Sequence, residues 1–149
     1  MGKKKPKRRG AVPPAKCKAI LLCDQTIIEA GTGKVSVIGI LERFVVAEIP
    51  GATRPFTVYL HLTDGIAEHE YELSVEIHDL SNASIIARTG GANVRWGDRL
   101  SRMNLFIPVP PLPVTHAGIY DIVVLANKQE IDRQRFEVVS PPKLEEEEE

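Results

Sequence analysis

Residues 88–102, RTGGANVRWGDRLSR, place Arg88, Arg95, Arg99 and Arg102 around the chain's single tryptophan, Trp96. A guanidinium beside an indole plate is the equipment for stacking on a single-stranded base or holding an anionic ligand. The competing reading is structural: Trp96 covers a sheet edge, and the arginines pair with acids such as Asp98. A second basic feature is sharper. Lys3, Lys4, Lys5, Lys7, Arg8 and Arg9 put six cations into seven positions. Such a run neutralises several phosphates and releases their counterions, giving nucleic-acid contact without sequence preference. It reads equally as a solubilising extension, or as a partner for the acidic run Glu145–Glu149. That attraction is screened beyond about 8 Å at physiological salt.

Other chemistries fit less well. Gly31-Thr32-Gly33-Lys34 resembles part of a phosphate loop, but Ile28 stands where the first glycine belongs and Val35 where Ser or Thr should follow the lysine. A hairpin turn accounts for it. His61, Asp64, Glu68, His69, Glu70 and His78 are metal-ligand types, yet no His-x-His or His-x-x-x-His pair focuses them on one point. No Gly-x-Ser-x-Gly elbow is present to activate a serine. Glu70, Glu72 and Glu76 fall on a solvent face, without the apolar surroundings that raise a carboxyl pKa for acid catalysis. The expectation is therefore no catalytic site, no metal site and no cofactor.

The chain that must carry these residues has 149 residues, 43% hydrophobic and 26% charged, enough for one compact core. Its formal net charge of −1 hides the two tails, which are opposite in sign and flank a nearly neutral body. Pro13, Pro14, Lys16 and Lys18 interrupt the stretch where a secretory apolar region would lie. Leu22 is too large for the residue preceding a lipoprotein-type cysteine at Cys23. No apolar run approaches the ~18 residues of a membrane span. Cys17 and Cys23 lie six apart on an extended segment, hence ~20 Å apart and beyond disulfide reach. Two unpaired thiols point to a reducing cytoplasm.

Between the tails the pattern is β throughout. Tyr71, Leu73, Val75 and Ile77 alternate with Glu70, Glu72, Ser74, Glu76 and His78, so one face meets a core and the other meets water. Phe56, Val58, Leu60 and Leu62 repeat the pattern, as do Met103, Leu105, Ile107 and Val109. Residues 18–29 and 35–46 read as two strands joined by Ala30–Lys34, with a bulge near Gly39 and Glu42-Arg43. Asp79–Asn82 and Asn127–Glu130 read as further turns. Gly118-Ile119-Tyr120 opens a penultimate strand after a proline-rich approach, the place of a tyrosine corner. These signals predict an all-β fold: an immunoglobulin-like antiparallel β-sandwich of about seven or eight strands over residues 17–140. A jelly roll is the alternative. Residues 1–16 and 141–149 read as disordered basic and acidic tails.

Leu22-Cys23-Asp24, then Gly31-Thr32-Gly33-Lys34 and Ser36-Val37-Ile38-Gly39-Ile40, resemble the N-terminal motif of a family of uncharacterised bacterial β-domains. Leu62-Thr63-Asp64 with the 70–80 strand, and the closing hairpin from Gly118 to Val138, extend the resemblance over approximately residues 18–139. It implies a small β domain of the bacterial cytoplasm and brings no activity or ligand with it. The expected function is a non-catalytic accessory or protein-interaction module, binding an unidentified protein partner or a second copy of itself through an exposed sheet edge. The alternative is a nucleic-acid-associated protein tethered by Lys3–Arg9 and oriented by Arg95, Trp96, Arg99 and Arg102.

Overall fold

The computed structural model describes residues 15–66, 68–97 and 101–142. Lys3, Lys4, Lys5, Lys7, Arg8, Arg9, Arg99 and the acidic run Glu145–Glu149 lie outside the described residues, as does Asp98. Eleven strands follow in order: β1 (Lys16–Ile28), β2 (Val35–Leu41), β3 (Arg43–Val45), β4 (Gly51–Ala52), β5 (Phe56–Thr63), β6 (Glu70–Asp79), β7 (Ser84–Arg95), β8 (Met103–Val109), β9 (Pro113–Val114), β10 (Gly118–Ala126) and β11 (Gln129–Val139). Eight are long. The three short ones, β3, β4 and β9, account for the excess over the seven or eight expected. Among the described residues no helix is long and apolar enough to cross a membrane.

The long strands form two sheets, ordered β2-β1-β5-β8 and β3-β11-β10-β6-β7. All pairings within them are antiparallel except β3 with β11, which is parallel. A first strand beside the second in one sheet, then a short segment crossing to run parallel to the last strand of the other, is the immunoglobulin-like arrangement. The fold is therefore an immunoglobulin-like β-sandwich with an added edge strand, β2. Alternation decides which side chains enter. Phe56, Val58, Leu60 and Leu62 from one sheet meet Tyr71, Leu73, Val75 and Ile77 from the other, and all eight are buried. Phe44 bridges the layers, 4.7 Å from Phe56 and 5.4 Å from Phe136 between ring centroids.

The tyrosine corner is present: the Tyr120 hydroxyl donates to the His116 carbonyl at 2.7 Å. The turn after β10 is tighter than expected. Asn127 and Lys128 alone make it, both with positive φ (50° and 65°), as a two-residue hairpin that follows the strand twist requires.

Two expectations are corrected. Residues 35–46 are not one bulged strand. β2 stays on the first sheet, the chain bends at Glu42, and β3 joins the second sheet, because Phe44 and Val46 reach the core only by crossing. The first strand also begins earlier than residue 18, at Lys16, with Ala15 buried before it.

Candidate functional site

The basic segment around Trp96 does not form a binding plate. Most of it is the second half of β7, paired with β6 from Glu70↔Arg95 through Leu73↔Ala92. Gly90 and Gly91 fall where the register shifts between Leu73 and Val75, so they form a β-bulge and not a hinge. Trp96 is 0% exposed. Its ring meets Tyr71 edge-on at 5.7 Å, its Nε1–H donates to the Ser101 carbonyl at 3.0 Å, and Gly65 lies so close that a Cβ there would sit 2.0 Å from the indole. With the indole sealed this way no base can stack on it. Arg95 is exposed and 3.7 Å from Glu68 Oε2, Arg88 donates to Glu76, and Arg102 is exposed ahead of β8.

The histidines of the metal-ligand set separate. His61 lies on the outer face of β5 with Nδ1 2.8 Å from Asn104 Oδ1, Asp64 sits in a left-handed turn conformation, and His78 lies 3.3 Å from Glu76. Among the described residues no three His, Cys, Asp or Glu side chains converge as a metal site.

Reasoning from the sequence missed one cluster. Asp79, at the end of β6, is 2% exposed. Its Oδ1 accepts the Ser81 N–H at 2.9 Å and the Ser81 hydroxyl at 2.8 Å, and its Oδ2 lies 2.5 Å from His116 Nε2. His116 Nδ1 is 2.9 Å from the Ala117 carbonyl, which can only accept, so Nδ1 carries a proton. The carboxylate at Nε2 favours a second proton on the ring. The Ala117 carbonyl and Asp79 together raise the His116 pKa above its ordinary value. Burial alone would raise Asp79, but the Ser81 and His116 bonds outweigh it and hold the carboxyl below its usual range. Ser81 Oγ is also 3.1 Å from His116 Nε2. A Ser-His-Asp relay needs hydroxyl and carboxylate on opposite ring nitrogens. Here both share Nε2, so the trio clamps the β6–β7 turn to the tyrosine corner. Asp79-x-Ser81 as an aspartate turn, with His116 four residues before Tyr120, is the signal that would have found it.

The outer face of the five-stranded sheet is closed by its own charges. Arg133 donates to Asp121 at 3.1 Å and to Glu130 at 2.5 Å, and Arg135 lies 3.6 Å from Asp121. Arg88 donates to Glu76 at 2.8 Å, and that bond, opposed by burial and aided by His78, lowers the Glu76 pKa. Val123 is buried in this face.

The four-stranded sheet differs. Cross-strand partners share a face, so Cys23↔Ile40, Gln25↔Ile38 and Ile27↔Ser36 place Ile27, Ile38 and Ile40 on its outer side. There they are 48%, 40% and 57% exposed. Gly39 carries φ 70°, and a Cβ at that position would lie 2.3 Å from Asp24 Oδ2, so only glycine fits. A cleft of about 540 Å³ opens where β2 gives way to β3, lined by Ile40, Glu42, Arg43, Ile119, Arg135 and Glu137.

The chain belongs to DUF6941, a family of unknown function. The family model matches residues 18–139, nearly all of the described body. No curated protein matches it. Among solved structures the chain is similar to an immunoglobulin-like protein from Pseudomonas aeruginosa, at 13% identity and a TM-score of 0.40, covering 87% of this chain and 100% of that one. It is also similar to the Pseudomonas fluorescens alkylpurine DNA glycosylase AlkC bound to DNA containing an abasic site analog. That likeness has 9% identity and a TM-score of 0.44, and covers 80% of this chain. It spans only 30% of the glycosylase's chain.

Proposed function

We propose that this domain is a non-catalytic protein-interaction module that takes an extended segment of a partner as an added strand on β2. One observation carries the reading: among the described residues, β2 is the sheet edge without protection. β3 is three residues long, β8 carries Pro108 and runs into Pro110 and Pro111, and β7 is bulged and carries Arg88 and Arg95. These are the devices that keep sheet edges from pairing. Val35–Leu41 has no charge, no proline and two exposed isoleucines. Strand addition uses the unpaired backbone for affinity and alternate side chains for selection. The free thiols Cys17 and Cys23 support a reducing cytoplasm as the place of action.

The test is capture from native lysate by the full chain and by its I38K/I40K variant, each with and without nuclease. Proteins retained by the parent and lost from the folded variant support the reading, and identical captures by both overturn it. Partners that vanish with nuclease favour the second reading, nonspecific nucleic-acid association through Lys3, Lys4, Lys5, Lys7, Arg8 and Arg9. The run of six cations supports that reading, and deleting residues 2–9 should weaken binding and flatten its salt dependence.

A further inference from the structure

We infer that the occupant of the β2 edge is a second copy of this chain, paired antiparallel about a two-fold axis through Ile38; the inference rests on the strand-addition reading above. A closed two-fold interface must be its own complement, residue i meeting j while j meets i. β2 satisfies this in one register. With Ile38 opposite Ile38 of the second copy, Ser36 meets Ile40, Val37 meets Gly39 and Val35 meets Leu41. Lys34 and Glu42, the exposed charges that flank the apolar run just outside β2, then face each other at both ends of the paired strands. Moving the axis by one residue in either direction sets one of those charges against Ser36 or Ile40 and leaves the other beyond the paired run. Charge complementarity thus selects both the occupant and the register.

The faces agree with it. Ser36, Ile38 and Ile40 of both copies share the outer side with Ile27 and the half-buried Leu21, Tyr59 and Phe106, so two apolar patches become continuous across the axis. Gly39 opposite Val37 leaves room for the valine, and the ladder to β1 has the same register on both sides of Gly39. The joined sheet runs β8-β5-β1-β2 and back through the second copy, eight strands in all.

Light scattering and sedimentation of the full chain should give twice 16.5 kDa at micromolar concentration. Lys34→Glu and Glu42→Lys should each weaken the dimer by about tenfold or more, since each puts like charges opposite on both sides of the axis. The double variant K34E/E42K should recover to within a few-fold of the parent. Ile38→Lys, which sets two ammonium groups on the axis, should be monomeric, with the unfolding midpoint that the parent shows once diluted below its dissociation constant. A dimer that ignores Ile38→Lys, or a double reversal that fails to recover, overturns the self-pairing. A monomeric parent that retains a protein which Ile38→Lys loses also overturns it, while leaving the interaction reading standing. A monomeric parent whose captures Ile38→Lys does not alter overturns both.

Discussion

Replacing Tyr120 by Phe isolates one hydroxyl in the middle of the fold. The ring stays: it stacks on Phe136 at 5.5 Å and on His116 at 5.8 Å, and Tyr120 is fully buried. Only the 2.7 Å bond to the His116 carbonyl disappears. A made hydrogen bond contributes about 0.5–1.5 kcal/mol net, and a carbonyl left partly without a donor adds to the loss. The expected destabilisation is about 1–2 kcal/mol, which with a urea dependence of about 1.5 kcal/mol per molar lowers the midpoint by roughly 0.7–1.3 M. Trp96 reports the transition without a label, because it is the chain's single tryptophan and is buried. Tyr59→Phe is the control. Its hydroxyl donates to Asn104 Oδ1 at 2.6 Å on the outer face, where water takes its place, so the cost should stay below about 0.5 kcal/mol. If Tyr120→Phe loses no more than Tyr59→Phe at an unchanged slope, the corner is not holding the two sheets together.

The Asp79–His116 clamp makes stability depend on pH in a defined window. Asp79 titrates below its ordinary 3.8 in the folded chain, so its contribution is complete above that pH and is lost as the pH falls through the lowered value. His116 titrates above its ordinary 6.5, so its contribution is complete below that pH and is lost as the pH rises through the raised value. The stability difference between the parent and His116→Gln should therefore plateau between about pH 4 and 6.5 and shrink on both sides, read by urea midpoints and by NMR titration of the ring. Burial, then Asp132, pushes the Cys17 thiol from 9.0 to about 11, and burial and Asp24 raise Cys23. In Cys23→Ser at pH 8, Cys17 should react with an aromatic disulfide about a hundredfold more slowly folded than in urea. Equal rates would place the thiol in water.

What the sequence discloses and what it hides divide along physical lines. Alternation over 70–78 identifies Tyr71, Leu73, Val75 and Ile77 as one face, because the side-chain period of a strand is a local property. Tyr120 is legible for the same reason: its acceptor is four residues away. Trp96 is misleading because its neighbours in sequence are arginines and glycines, while its neighbours in space are Tyr71, Gly65 and Ser101. Asp79 and His116 stand 37 residues apart, and only the pairing of β6 with β10 brings them together. The crossing at Glu42 is hidden too, since apolar residues continue on both sides of it and do not say which sheet they join.

β2 itself poses the sharpest conflict between composition and position. An antiparallel strand with one face in water alternates apolar with polar residues, as β6 does with Glu70, Glu72, Ser74, Glu76 and His78. β2 carries Val35, Val37 and Leu41 on one face and Ile38 and Ile40 on the other, with Ser36 its single polar residue. A strand that is apolar on both sides is the pattern of a strand covered on both faces. β2 nevertheless lies at an edge, and its outward isoleucines are covered by nothing among the described residues. Packing within one chain does not account for that pattern, since the core faces of β1, β5 and β8 are already filled from the opposite sheet. In the proposed pairing the outer isoleucines of the two copies would instead pack beside one another across the axis. It would also move β2 from the rim to the middle of an eight-stranded sheet, with Lys34 and Glu42 just beyond its two ends.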